Sequence, residues 1–302
     1  MSPVIEVDPQ RAESLEQLGT KRKYWYRDGE RLFLFKADER GTGEDWAEKL
    51  ACELAKLLGL PCVQYDLAME KETLIPGVVC ESCSPPPWSM KMGNELLLAS
   101  DPSYPAERKF GVQPHTVDAV VSVLKEFQLP PLQWNSQLPV GICTAVDVYI
   151  GYAMLDAWVA NQDRHHQNWA ALANESVLHL CPTYDHGAAL ARNINDTERA
   201  ERLASRDKNR QVAAFARRAR SAFYGRLSDK NTLTTFEAWQ RFSAVSTNAG
   251  ATWLAQLAKL PDAAVSELVT QIPSHRMSSV CKEFTLQLLI ENQRRLLEDS
   301  VS

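Results

Sequence analysis

The spacing of apolar and polar positions changes period along the chain. Residues 24–26 and 32–35 are short aromatic and aliphatic runs on either side of Asp28-Gly29. That dipeptide tolerates positive φ, so the segment predicts a hairpin whose second strand ends on Lys36. From Glu44 the period lengthens. Trp46, Leu50, Leu54 and Leu57 share one stripe, two acids open the segment, and Gly59 with Pro61 closes it, which predicts a helix over 44–58. Runs at 63–69 and 74–83, rich in Ile and Val in the second case, predict two more strands. Ser84-Pro-Pro-Pro-Trp88 then punctuates the chain and reads as a lobe boundary. Beyond it helical patterns dominate: a helix over 116–127, and another over 140–159 so uniformly apolar that burial on most sides is expected. Two short strands at 169–172 and 177–180 surround Asn174-Glu175, and helices over 236–245, 251–260, 263–271 and 281–297 complete the pattern. The expected class is α+β: a small β-rich lobe with one helix over 1–84, and a mainly helical lobe over 85–302.

Composition narrows the class. The 302 residues hold two average domains or one large enzyme domain. With 45% apolar and 24% charged residues, the chain has enough apolar surface to fold, which excludes disorder. A net charge of −5 weighs against a dedicated DNA-binding protein, so no direct DNA binding is expected. The seven cysteines are odd in number and show no framework, and no stretch reaches the ~18 apolar residues of a membrane span. The chain therefore reads as a reduced, cytoplasmic protein with no membrane span. Cys80 and Cys83 form a lone C-x-x-C without the second pair that zinc requires, and read as ordinary thiols.

The candidate chemistry sits where the buried helix runs out. Asn161-Gln-Asp-Arg-His-His-Gln-Asn168 places Asp163 five residues before Asn168, with Arg164 and His165 between. This is the spacing of a phosphoryl-transfer loop, in which the Asp accepts a hydroxyl proton and the Asn holds Mg²⁺. Tyr184-Asp-His-Gly187 follows at the end of a strand, as the second metal carboxylate would. One amide and one carboxylate oxygen, Asn168 and Asp185, suit Mg²⁺ completed by a triphosphate and water. The order of a strand-end Lys, an acidic helix, a proline boundary, Asp…Asn and Asp-x-Gly predicts a two-lobed protein-kinase-like fold.

These motifs resemble those of the HipA-like serine/threonine kinases, a toxin-type family remotely related to phosphatidylinositol kinases. The run Glu48-x₅-Leu54-Ala55-x₃-Gly59-Leu60-Pro61 is similar to that family's N-lobe helix, and 272–278 with Phe284, Leu288, Asn292 and Arg295 resembles its C-terminal helix. The likeness extends over 19–297, and its specificity lies in the central motif. It implies ATP and Mg²⁺ as cofactors and a protein Ser/Thr hydroxyl as acceptor. By that resemblance Asp163 would be the catalytic base, flanked by Arg164 and His165. Lys36 would meet the ATP phosphates and pair with Glu48, and Asn168 and Asp185 would bind the metal. The family also implies an antitoxin-like partner. Asp-Arg-His-x-x-Asn is shared with phosphatidylinositol kinases, which leaves lipid phosphorylation as the alternative, and a pseudokinase-like binding module as a third reading.

Two departures from kinase patterns stand out. No Gly-x-Gly-x-x-Gly precedes Lys36; the loop is instead Gly19-Thr20-Lys21-Arg22-Lys23, where backbone amides and the cations of Lys21 and Lys23 would cradle phosphate. Lys36 also falls early, so the chain reads as a core-only member of the family. Between 192 and 226, finally, ten Arg or Lys face four acids. This stretch is expected to be either a docking segment for an acidic or phosphorylated substrate, an RNA-linked target or anionic lipid, or an amphipathic helix with Val212, Phe215 and Ala216 turned inward.

Overall fold

The structure is a computed structural model and describes residues 4–15 and 22–298. The N-terminal part contributes strands β1 (Ile5–Val7), β2 (Ala12–Leu15), β3 (Lys23–Asp28), β4 (Arg31–Ala37), β5 (Tyr65–Glu70) and β6 (Pro76–Glu81), with helix α1 (Glu44–Leu58) between β4 and β5. They form one sheet in the order β1-β5-β6-β4-β3-β2, antiparallel except for the β1–β5 pair. The hairpin forms as expected, with its loop one residue later at Gly29-Glu30, because Asp28 still pairs with Arg31.

Period-two alternation decides what each face of this sheet carries. Tyr24, Tyr26, Phe35, Ala37, Ala68 and Val79 share one small core. Leu34, Tyr65, Leu67, Val78 and Cys80 turn the other way, onto Cys52 of α1 and Val63. Lys36 stands two residues after Leu34, so it too points toward α1, and Lys23 lies directly across the ladder from it. The α1 helix has the expected bounds, but its stripe drifts: Leu58 is buried and Leu57 is 38% exposed, since 3.6 residues per turn carry the apolar face forward by one position.

The proline segment leads into a strand that the apolar pattern did not announce, β7 (Ser89–Met92), which pairs with β8 (Ala170–Asn174). With β9 (Val177–Leu180) they make a second, three-stranded sheet. Helices α2 (Gly93–Ser100), α3 (Val117–Leu124), α4 (Leu132–Asn135), α5 (Ala145–Trp158), α6 (Asp196–Ala204), α7 (Val212–Arg218), α8 (Thr235–Ser243), α9 (Thr247–Ala258), α10 (Asp262–Gln271) and α11 (Ser279–Glu298) build the rest. The buried helix α5 starts five residues later than its apolar run, because Thr144 and Asp147 form a capping box and fix the start; Val140 is fully exposed. Every residue of α5 is buried, and Gly151 is where Trp253 and Leu60 approach so closely that a Cβ would lie 2.5–2.6 Å from them. Among the described residues no helix is long and apolar enough to cross a membrane.

Polar links tie the two lobes on the α1 side. Arg276, from the segment before α11, bonds the Asp45 carboxylate at the start of α1 and donates to Ala68 O of β5 at 2.7 Å. Arg192 meets Glu44 at 2.6 Å, and Val63 N–H donates to Thr183 O at 3.0 Å. Asp45 and Arg276 are both buried, and burial lifts the Asp45 pKa to about 6 against the pull of Arg276. Replacing Arg276 by Met strands that carboxylate, so urea unfolding at pH 8 should show a loss of about 3–5 kcal/mol. The loss should shrink as acid protonates Asp45, and the double variant Asp45→Asn/Arg276→Met should recover part of it at pH 8.

Candidate active site

The site is built around one buried ammonium. Lys36 Nζ lies 2.9 Å from Glu48 Oε1 and 2.9 Å from Asp185 Oδ1, and donates to the Tyr65 hydroxyl at 3.3 Å. The second Glu48 oxygen accepts the His186 backbone N–H at 2.8 Å, and the Tyr65 hydroxyl accepts the Asp185 N–H at 3.3 Å. One cation thus joins β4, α1 and the 184–187 segment. Burial opposes the charge on Lys36, but Asp185 and Glu48 outweigh it and hold its pKa well above the ordinary value. Asp185 is half-buried, and Lys36 and then Lys23 keep its pKa far below the usual carboxylate range against the cost of desolvation. Glu48 goes the other way: burial raises its pKa against the pull of Lys36. Asp185 adopts φ 59°, a left-handed conformation that a non-glycine residue keeps only where its surroundings hold it there.

The loop after α5 is organised by Arg164. Its side chain is 2% exposed and grips Asp156 with two bonds of 2.7 and 2.8 Å. The remaining donors go to Asn168 O at 2.7 Å, Tyr184 O at 3.1 Å and His186 Nε2 at 2.9 Å. All its hydrogen-bonding capacity is directed inward, so it binds the 161–168 loop to the 184–187 segment. Asp163 sits on this frame. Its backbone carbonyl accepts from Asn168 Nδ2 at 2.6 Å and from the His165 amide, while its carboxylate faces a cavity. Burial, followed by the nearby Asp185 charge, raises the Asp163 pKa to about 6. His165 is buried and neutral, its pKa pushed down to about 4 by burial and then by Lys109.

Two cavities, of about 200 and 190 Å³, share Lys23, Lys36, Lys109 and Asp185 and form the two ends of one cleft. The first is charged, lined by Asp163, Asp185, Arg192 and the three lysines. The second is mixed and partly apolar, lined by Trp25, Leu34, Val63, Met90 and Tyr184, and reaches the 80–84 connection. A flat ring fits the apolar end, and a phosphate chain the charged one, along Lys23, Lys36 and Lys109. Asn168 and Asp185 face the same cavity, and bonding through Nδ2 leaves the Asn168 oxygen available. Among the described residues no group of three or more His, Cys, Asp or Glu gathers as a metal cage. A pair of hard oxygens therefore fits an ion that takes the rest of its shell from phosphate and water.

The positions expected from the sequence fall into three groups. Lys36, Glu48, Asp185, Asn168, Asp163, His165 and Lys23 all line this cleft. Arg164, expected among the catalytic residues, lines neither end, and its place is that of a positioning residue. Gly19, Thr20 and Lys21 lie outside the described residues. Sequence reasoning missed Lys109, which borders both ends of the cleft from the loop between α2 and α3, and Tyr65 beside Lys36. The run Arg108-Lys109-Phe110-Gly111 was the available signal for Lys109.

No protein-family model matches the sequence, and no curated protein matches it. Solved structures do. The Helicobacter pylori proinflammatory kinase CtkA superposes with a TM-score of 0.73 at 16% identity, covering 99% of this chain and 97% of its own. A chain from the Shewanella oneidensis MR-1 toxin–antitoxin complex of HipA, HipB and operator DNA gives 0.58 at 12% identity, over 95% of this chain. This chain spans 66% of the length of that second neighbour. The fold is therefore the two-lobed kinase-like fold of these proteins.

The two kinds of acidic and basic site residue should respond differently to substitution. Arg164→Met leaves Asp156 charged and buried, and should lower unfolding free energy in urea by about 3–5 kcal/mol. A carboxyl whose folded pKa lies above its unfolded value favours the folded state only while protonated. At pH 8 the Asp163→Asn protein should accordingly be at least as stable as the parent.

Proposed function

We propose that this chain is an ATP- and Mg²⁺-dependent protein kinase of HipA-like type that phosphorylates a Ser or Thr hydroxyl. The observation that carries the reading is the meeting of Asp163 with the Lys36–Glu48–Asp185 centre at one cavity. A base that must take a proton and a cation that must hold phosphate line the same cavity.

In this reading the apolar end of the cleft takes the adenine ring, and the 80–84 connection edges it. Lys36, kept in place by Glu48, directs its ammonium at the phosphates, with Lys23 beside it. Asp163 accepts a hydrogen bond from the acceptor hydroxyl and orients its oxygen toward the γ-phosphorus. As the new O–P bond forms, the bond to the ADP oxygen breaks and the hydroxyl proton passes to Asp163. The Asp163 pKa near 6 suits that task, since the group is ionised at neutral pH yet basic enough to take the proton. Asn168 and Asp185 would hold Mg²⁺, which when bound neutralises phosphate charge. The neighbour solved with HipB and operator DNA makes an antitoxin-like protein the candidate regulator, though this chain lacks a third of that neighbour's length.

The decisive experiment incubates the protein with labelled ATP and Mg²⁺, with and without cell lysate, beside Asp163→Ala. Label should appear on protein with the parent chain and fall by roughly 10³-fold or more with the variant, the scale on which losing a general base and its positioning acts. Label on lipid vesicles alone would select the lipid kinase, and nucleotide binding without any transfer would select the binding module. Mg-ATP should also raise the melting temperature of the parent, and Lys36→Ala should abolish the shift.

A further inference from the structure

A third cavity, of about 160 Å³, adjoins the cleft. It shares Lys109, Asp163 and His165 with the cleft but none of Lys36, Asn168 or Asp185. Phe110 and Val112 form one wall, and Tyr224 and Thr232, from the segment after α7, form the other. It is therefore a way to Asp163 that does not cross Lys36, Asn168 or Asp185.

Its inner surface carries unpartnered imidazole nitrogens. His165 Nδ1 accepts the Gln167 amide N–H at 3.1 Å, so the ring hydrogen of the neutral imidazole is on Nε2. That Nε2 lies 3.7 Å from Asp163 Oδ1, too far for a hydrogen bond, and is buried with no partner among the described residues. His166 borders the same cavity, and its buried Nε2 also has no partner there, while its Nδ1 is bonded to the Tyr104 hydroxyl at 2.8 Å. Buried imidazole nitrogens without partners are rare, and two on one cavity, the His165 N–H among them, call for a polar ligand.

The rim is cationic. Arg220 Nε reaches Thr232 Oγ1 at 3.4 Å, which places this guanidinium at the mouth. Arg218, Arg226 and Lys230 are exposed on the same segment, and Lys109 lines the cavity itself. The local acids are engaged. Asp229 accepts the Arg226 amide at 2.9 Å, and Glu237 accepts from Thr234 in the capping box of α8. The basic stretch seen in the sequence is thus split. Arg199, Arg202 and Arg210 pair with Asp196, Glu198 and Glu201, and the excess collects toward 218–230, beside the cavity.

We propose that this cavity is the acceptor site, and that it takes the hydroxyl-bearing residue of a protein segment with acidic side chains on its flanks. The proposal rests on the kinase reading and adds the entry route and charge of the acceptor. The hydroxyl reaches Asp163, a backbone carbonyl of the segment accepts from the buried His165 N–H, and flanking carboxylates meet Arg220, Arg226 and Lys230. With Asp163, Lys109 and neutral imidazoles as its titratable lining, the cavity has no net positive charge to hold a phosphorylated headgroup inside. The acids belong on the rim.

The test compares three serine peptides that differ only in flanks: acidic, alanine and basic. With the parent protein, kcat/KM should favour the acidic over the basic peptide by about tenfold or more at low salt, with the ratio shrinking as salt screens the rim. The variant Arg220→Glu/Arg226→Glu/Lys230→Glu should invert that order. Thr232→Trp should block transfer to every peptide while Mg-ATP still raises its melting temperature, which shows that it has folded. A serine-to-alanine acidic peptide should bind the Asp163→Asn protein in fluorescence anisotropy, and not the charge-reversed one. Equal rates on all three peptides, a preference for basic flanks, RNA binding at the rim in place of peptide, or normal transfer by Thr232→Trp would overturn the acceptor site and leave the kinase reading standing. Nucleotide binding with no transfer to any protein or peptide would overturn both.

Discussion

The Lys36 ammonium, held between the Glu48 and Asp185 carboxylates, is the interaction on which the rest of the site depends. Each of these charges is costly to bury alone, and they become tolerable only together, at 2.9 Å and with the leftover oxygen of Glu48 satisfied by a backbone amide. The triad therefore fixes three elements at once. It sets the register of β4 against α1, since only one rotation of the helix presents Glu48. It also sets the depth at which the 184–187 segment enters the cleft. A nucleotide phosphate arriving at Lys36 would meet a charge already oriented, with little reorganisation left to make.

Arg164 plays the matching part in the other lobe. It is buried, yet its cost is offset by a bidentate carboxylate and three further acceptors, the geometry for which guanidinium is suited and ammonium is not. By bonding Asn168 O and Tyr184 O together it brings the Asp163 loop and the Asp185 segment to one place, although 22 residues separate the two aspartates. The interlobe link of Arg276 with Asp45 serves the same end from outside, seating the first turn of α1. Reactive groups in the cleft are half-solvated and mutually repelling, and the surrounding pairs hold them there.

Much of this was legible in the sequence, for physical reasons. The α1 bounds follow from a stripe, acidic first-turn residues and a glycine stop. Lys36 could be placed at a strand end by alternation, and Asp163, Asn168 and Asp185 by spacing. What failed did so where local pattern carries no information. The strand β7 has the sequence Ser-Met-Lys-Met, with no strong β signal, and exists because β8 offers it an edge. The apolar run at 140–159 overstated its helix, since hydrophobicity continues through residues that a cap excludes. Arg164 sits inside the motif but is turned away from the cleft, and its direction depends on Asp156, eight residues earlier.

The sequence by itself determined most of the long elements, the lobed α+β class and which residue types were available for phosphoryl-transfer chemistry, because these depend on period, capping and spacing over short ranges. Only the tertiary structure decided that Arg164 turns away from the cleft toward Tyr184 and His186, that Lys109 borders both ends of the cleft, and that the excess positive charge gathers beside a cavity at Asp163. Those outcomes depend on contacts between residues tens to more than a hundred positions apart. Burial there changes what each charge costs, and no local pattern encodes it.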